Sequence, residues 1–309
     1  MFDYLPVAAP AGRLARLGVV LEESGVGDRM AALGRLCDRA GIDTIWLSDL
    51  FSDTLGPNPA VWSRALEIRP VIERATVGVL VDARTPVADM VAAAVASGSS
   101  SGRLQIALTG PSAPDVVGPL RDQLVERLGL SRPGLGVVLE RVDAFERIAR
   151  IVDLVTLPGW IFPDLESAAD EVRARAVDAG RDPATLGVAA FVTASVGRTD
   201  AEARARAEPD PLFARIGQPE AIGVFGALED CQDRVIALAH AGITDLWCVL
   251  PSTPDILDVI AQLTAIAVGS TTVLIPGSLR SPAPPPPEGW GGRPDVPPKR
   301  SVSGGSRRR

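Results

Sequence analysis

Three carboxylates follow short, β-branched apolar runs in the first half of the chain. Asp49, Asp82 and Glu140 each stand at the end of such a run. Carboxylate oxygens bind Mg²⁺, and pairs of carboxyl groups carry out the acid–base steps of glycoside hydrolysis. An acid in this position also serves as a turn residue or a helix cap. A carboxylate- or Mg²⁺-based enzyme is therefore one hypothesis for this chain.

Histidine and lysine, the usual proton carriers and amine nucleophiles of enzymes, occur once each. His240 falls in a segment of helical period, and Lys299 lies close to the C-terminus. A Schiff-base mechanism therefore lacks a lysine in the body of the chain, and a zinc site with several histidine ligands is excluded by count. We assign no metal-ligating residue. So few bases and nucleophiles favour an organic cofactor that brings its own reactivity.

The cysteines and the apolar stretches bear on the compartment. Cys37, Cys231 and Cys248 are widely spaced and form neither a disulfide framework nor a metal-binding motif, which is typical of a reducing compartment. The first residues show no basic region followed by an apolar run, so no signal peptide is expected. Polar residues interrupt the apolar stretch 256–276, so we expect no membrane span. The prediction is a cytoplasmic protein.

Charge is unevenly distributed along the chain. The net charge is −7, but residues 278–309 hold seven basic and two acidic residues, which leaves 24 basic and 36 acidic residues, a net charge of −12, elsewhere. An acidic body argues against a nucleic-acid partner, because phosphate binding requires a basic surface. The segment 278–309 is rich in Pro, Gly and Arg and cannot bury enough apolar surface to fold. We therefore expect a disordered tail there.

The chemistry-bearing residues are positioned by a regular alternation of elements. Short apolar runs alternate with segments of helical period over residues 1–277, which is typical of parallel βα units. The runs are apolar on both faces, as in a sheet that is covered on both sides. Eight strands are predicted, at 17–21, 44–48, 76–81, 104–108, 135–139, 152–157, 188–195 and 245–250.

Helix boundaries can also be predicted. Thr85, before Pro86, and the capping box Thr199–Glu202 indicate helix starts, and Gly180 indicates the end of the helix after strand six. Eight such units predict an α/β fold, a (β/α)8 TIM barrel over 1–277. The alternative is an open, doubly wound sheet. No glycine-rich dinucleotide fingerprint follows strand one, where Glu22 and Glu23 would repel a pyrophosphate.

Several short segments form a further pattern, in order along about 200 residues. They are AGIDTIWLSD at 40–49, SSGRL at 100–104 continuing to Gly110, AGRDP at 179–183, TDAEA at 199–203, FG at 225–226 and AGI at 241–243. Together they resemble the luciferase-like monooxygenase family, which comprises enzymes that use flavin or the deazaflavin F420. The resemblance spans most of the predicted barrel.

The resemblance implies a function at the mouth of the barrel. It implies hydride transfer between FMN or F420 and a small organic substrate, by a barrel that pairs into a homodimer. Carried across by position, Asp49 would be the catalytic residue that polarises a group or handles a proton. The implied cofactor-binding residues are Ser48 near the ring, Asp82, Thr109 and Gly110 at its edge, Gly159 and Trp160 as backbone and aromatic wall, and Glu140 and Arg141 near the phosphate.

Two departures from the family's pattern keep an alternative open. Leu50 stands where many relatives have a histidine, and Glu140 and Arg141 replace a glycine pair. The first hypothesis is an oxidoreductase that uses F420 or FMN. The alternative is a diverged, non-catalytic luciferase-like barrel that binds a ligand or a partner.

Overall fold

The computed structural model describes residues 14–22, 30–48, 60–97, 103–129, 132–216, 223–251, 253 and 255–268. These residues belong to the first of two compact units, Met1–Ile275. The second unit, Pro276–Arg309, lies outside the described residues, and the predicted tail lies there with it.

Parallel strands form a closed barrel. The strands are β1 (Arg16–Glu22), β2 (Thr44–Ser48), β3 (Thr76–Asp82), β4 (Leu104–Thr109), β5 (Gly134–Val138), β6 (Leu154–Pro158), β7 (Gly187–Gly197), β8 (Val224–Ala227) and β9 (Asp245–Val249). β1 to β7 pair in order, and β9 pairs with both β7 and β1, so the ring of eight strands closes. The predicted barrel is confirmed, and the open sheet is wrong.

Helices surround this ring. They are α1 (Met30–Ala40), α2 (Ala60–Ile68), α3 (Val87–Ala96), α4 (Ala113–Leu128), α5 (Leu165–Asp178), α6 (Asp200–Ala207), α7 (Pro211–Ile216), α8 (Leu228–His240) and α9 (Ile256–Ala267). The connection from β5 to β6 holds a short 3₁₀ helix, Val142–Arg147, in place of an α-helix. None of the helices within the described ranges is long and apolar enough to cross a membrane.

Two of the predicted helix starts had different outcomes. Thr199 caps α6 as predicted, because its hydroxyl accepts the Glu202 N–H at 3.2 Å. The Thr85 prediction is wrong: α3 starts one residue later than predicted, Pro86 occupies the N-cap position, and no side chain caps it. The Thr85 N–H donates instead to the carbonyl of Asp82 in the turn after β3. Gly180, with a φ of 72°, follows the end of α5 as predicted.

The interior of the barrel is filled by two indoles over a level of small residues. Strand register places four inward-facing positions of alternate strands at each level, as in other barrels of this type. One level consists of Gly18, Gly78, Gly136 and Ala189, and the next contains Trp46 and Trp247. The indole centroids are 3.8 Å apart. A Cβ on Gly78 would lie 2.2 Å from Trp46 Cε3, so the glycine level makes the room that the indoles occupy.

Candidate active site

The carboxyl ends of the barrel strands bring several predicted residues together at the mouth. By strand register, Ser48 of β2 and Thr109 of β4 share one inward-facing level, and Asp82 of β3 stands one level higher. Ser48 and Thr109 are buried, with 2% and 6% of their surface exposed. The Thr109 hydroxyl donates to the Val81 carbonyl at 3.3 Å, which ties β4 to β3 at the mouth.

The interior is closed directly beneath this level. Val20, Leu80, Val138 and Phe191 form the level below, and all four are buried. A cavity of about 10 Å³ lies near the opposite end of the barrel, beside Arg16, Trp46 and Gln105, and has room for one water molecule. A ligand of the size of a tricyclic ring therefore has to sit above the packed levels, at the mouth.

Asp82 is held in an ion pair. Arg84 Nε lies 3.0 Å from Asp82 Oδ1 and 2.9 Å from Oδ2, and the Arg84 backbone N–H donates to Oδ1 at 2.7 Å. The hydrogen bonds from Arg84 hold the pKa of this carboxyl below its usual value. Oδ1 also lies 4.0 Å from the point where a Cβ on Gly110 would stand, so Asp82 and Gly110 are neighbours. Gly110 has a φ of 92°, which favours glycine there.

The opposite side of the mouth is aromatic. Gly159 is buried, and its N–H donates to the Phe191 carbonyl at 2.8 Å. Trp160 is partly exposed and meets Phe191 edge to face, with centroids 4.8 Å apart. Phe191 in turn meets Trp247 at 5.9 Å. Trp160 is therefore the outermost member of an aromatic series that begins in the barrel interior.

No protein-family model matches the chain, and no curated protein resembles it closely enough in sequence to count as a relative. Its fold is nevertheless shared with solved enzymes. A coenzyme F420-dependent tetrahydromethanopterin reductase from Methanopyrus kandleri superposes with a TM-score of 0.66 at 13% identity, over 82% of this chain and 99% of that one. The chain has the fold of the luciferase-like enzymes.

Two further structures support the same assignment of fold. An F420-dependent secondary alcohol dehydrogenase, in complex with an F420–acetone adduct, has a TM-score of 0.60 at 15% identity and covers 82% of this chain and 98% of its own. A riboflavin lyase with modified FMN has a TM-score of 0.58 at 13% identity, over 84% and 96% of the two chains. At such identities the likeness establishes a luciferase-like fold, and the resemblance inferred from the motifs is confirmed at that level.

Glu140 and Arg141 follow β5 at the carboxyl end of the luciferase-like barrel. Both are exposed, and Arg141 Nε donates to Asp143 Oδ1 at 3.0 Å. Arg141 lines an open groove of about 480 Å³ between the 3₁₀ helix and the start of α5, among residues that do not face the barrel interior. The structure therefore pairs this guanidinium with a carboxylate of its own loop.

Asp49, the predicted catalytic residue, lies outside the described residues. Its neighbour Ser48 ends β2 at the mouth of the luciferase-like barrel.

The sequence reasoning missed two residues that the structure brings to the mouth. Between β7 and α8 the chain forms α6, α7 and the short strand β8, and Leu212 and Phe225 from this insertion pack against the same buried cluster as Trp160. Residues that follow barrel strands build the active sites of this fold, but no local pattern in the sequence indicates that Leu212 and Phe225 reach the mouth. The strand that carries Phe225, β8, is only four residues long, which is too short to show an alternation of apolar and polar residues.

Proposed function

We propose that the chain is an oxidoreductase that holds F420 or FMN at the barrel mouth and transfers hydride to or from a small organic substrate. The observation that carries the proposal is the two-sided mouth above a closed interior. Buried hydroxyls and an ion-paired aspartate form one side, and Trp160 forms the other. A flat ring with a polar edge fits between such sides.

Each residue of the mouth would contact a different part of the cofactor ring. Trp160 would pack against the ring, and the Ser48 and Thr109 hydroxyls would meet its polar edge. The ring could approach the backbone of Gly110 closely, because this residue has no side chain and the nearest side-chain atom to its Cβ position is Asp82 Oδ1 at 4.0 Å. The bound ring supplies the hydride acceptor or donor. Asp49 is our proposal for the side chain that polarises the reacting group or handles its proton.

The solved enzymes with this fold support the cofactor class. Those named above are described as F420-dependent or as holding a modified FMN. The chain's scarcity of histidine and lysine agrees with a cofactor that brings its own reactivity. The Mg²⁺ hypothesis loses support, because both carboxylate oxygens of Asp82 are engaged by Arg84.

Titration with F420 and with FMN, followed by ring absorbance and fluorescence, tests the proposal. We expect one of them to bind at micromolar concentration or tighter. Trp160→Leu should weaken that binding about two- to tenfold, because the aromatic contact of about 0.5–1.5 kcal/mol is lost. Trp290→Leu, in the Pro- and Gly-rich segment, is the matched control and should leave it unchanged. Binding of neither cofactor would refute the proposal.

The second candidate is a barrel that binds a ligand without reacting. Two arginines favour it, Arg84 near the carboxyl end of β3 and Arg141 near that of β5. Each forms an ion pair with an aspartate, so its charge is already neutralised and is not available to a cofactor phosphate. Tight ring binding without any redox turnover would support this candidate.

We propose a homodimer, from the family resemblance, and a cytoplasmic location, from the cysteine pattern. The three cysteines are buried, and burial raises the pKa of each thiol to about 12, so they stay in the unreactive thiol form. Light scattering on the purified protein tests the dimer directly.

A further inference from the structure

The insertion after β7 extends one side of the mouth above the barrel. β7 pairs with β9 over Ala189–Thr193 and with β8 over Ala194–Gly197. The β8 pairing therefore stands above the last level of the closed ring. Phe225 lies opposite Ser195, which continues the inward-facing alternation of Phe191 and Thr193. Phe225 is thus placed on the inward-facing side of the extension.

Leu212 and Phe225, here called the mouth wall, are partly exposed yet packed. Both lie against the cluster that includes Phe191, Phe213 and Val249, and these three are at most 2% exposed. The nearest acid along the chain, Asp210, accepts the backbone N–H groups of Leu212 and Phe213 at 2.8 and 3.3 Å, so it caps α7.

The mouth is therefore polar on one side and apolar on the other. Asp82 and Arg84 form an ion pair beside Gly110, whereas the mouth wall offers only hydrocarbon and aromatic surface. An ionised group placed against Leu212 and Phe225 would lose its hydration without gaining a partner from either side chain. A neutral hydrocarbon group would instead gain from leaving water.

We propose that Leu212 and Phe225 determine substrate specificity by binding an uncharged apolar part of the substrate. The substrate class is a neutral organic molecule with a hydrocarbon portion of several carbons. Its identification as the substrate rests on the proposed oxidoreductase function. The binding of such a group to the mouth wall does not, and it can be measured without any cofactor.

The experiment compares primary alcohols from 1-butanol to 1-decanol with the carboxylates of equal chain length, by titration calorimetry on the full chain. We expect each added methylene to tighten alcohol binding about fourfold until the surface is covered. The carboxylates should bind about tenfold more weakly, because an ionised group is desolvated beside apolar surface. Affinity that does not depend on chain length, or equal affinity for both series, contradicts the proposal.

Matched variants locate the binding. Leu212→Ala should weaken 1-decanol binding about tenfold, and Leu212→Met should restore most of it, since volume and apolarity are kept. Leu66→Ala on α2 is the control, because Leu66 is 45% exposed and lies on an outer helix. Circular dichroism verifies folding of each variant. If Leu212→Ala and Leu66→Ala behave alike, the mouth wall is not the binding surface.

The two proposals fail separately. If the alcohols bind as expected but neither F420 nor FMN does, the mouth wall stands and the oxidoreductase is refuted. If a cofactor binds but alcohol binding depends neither on chain length nor on Leu212, the oxidoreductase proposal stands and the mouth-wall proposal is refuted.

Discussion

At the scale of single residues, ion pairing decides what Asp82 can do. Its pKa is lowered by the hydrogen bonds from Arg84, so it is a carboxylate at neutral pH and gains a proton only well into the acid range. A general acid or base works best when its pKa lies near the working pH. Asp82 is therefore suited to hold the turn after β3 beside Gly110, and proton handling falls to another residue.

Asp49 is our proposal for that residue. Asp49→Asn keeps the size of the side chain and removes its ability to exchange a proton, so turnover with the cofactor that binds should fall about 100-fold or more. The free energy of unfolding should change little. Asp178→Asn, at the exposed end of α5, is the control and should keep full turnover. Unchanged turnover in Asp49→Asn would remove this residue from the mechanism.

At the scale of elements, the strands depend on the glycine level below the indoles. In Gly78→Ala the added Cβ would meet Trp46 ring atoms at 2.2 and 2.3 Å, and the ring has little space to move because the centroid of the Trp247 ring lies 3.8 Å from its own. We expect a loss of about 3 kcal/mol in the free energy of unfolding, measured by urea denaturation. Combining it with Trp46→Leu should cost less than the sum of the two changes.

Gly118→Ala is the matched control for this prediction. Gly118 lies inside α4, and its Cβ would meet Ile151 Cδ1 at 3.7 Å, an ordinary contact. Alanine favours a helix interior over glycine by about 0.5–1 kcal/mol, but Pro119 follows, and a Cβ before proline is crowded in the helical conformation. This variant should therefore change the free energy of unfolding by less than about 1 kcal/mol. If Gly78→Ala proves equally harmless, the packing account of the barrel interior is wrong.

The elements also show what a sequence can and cannot predict. Every predicted barrel strand exists, with ends within two residues, because parallel strands buried on both faces produce continuous apolar runs. β8 could not be predicted, since its pairing depends on how far β7 extends beyond the ring. The sequence also did not show that the connection from β5 to β6 lacks an α-helix. Its segment 142–147 forms a 3₁₀ helix that buries only Phe145.

The residues of the mouth could likewise be predicted only in part. Ser48, Asp82 and Thr109 could be predicted as neighbours, since the ends of parallel strands meet at one edge. The pairing of Asp82 with Arg84 and of Arg141 with Asp143 could not, because both depend on loop conformation. Leu212 and Phe225 reach the mouth through an insertion whose path no local pattern specifies.

At the scale of the whole molecule, the ring and its outer helices belong to one compact unit. The first and last barrel strands pair with each other, so the two ends of the described chain support one another. Arg16 and Asp245 form an ion pair at this closure, with Nη2 and Oδ2 2.7 Å apart. The helix α9 then covers the closure, with Val259, Ile260, Leu263 and Ile266 buried.

Two truncations test where the folded unit ends. We propose that residues 278–309 are not part of the barrel, so a chain ending at Gly277 should melt within about 2–4 °C of the full chain, the shift that corresponds to about 1 kcal/mol. A chain ending at Asp255 loses α9 and its four large buried side chains, each worth about 1.5–3 kcal/mol. That loss is comparable to the whole stability of a domain, about 5–15 kcal/mol, so this chain should not fold.

Calorimetry on the two truncated chains distinguishes these outcomes. A chain ending at Gly277 that melts far below the full protein would show that the last 32 residues stabilise the barrel, and the domain boundary would then have to be moved.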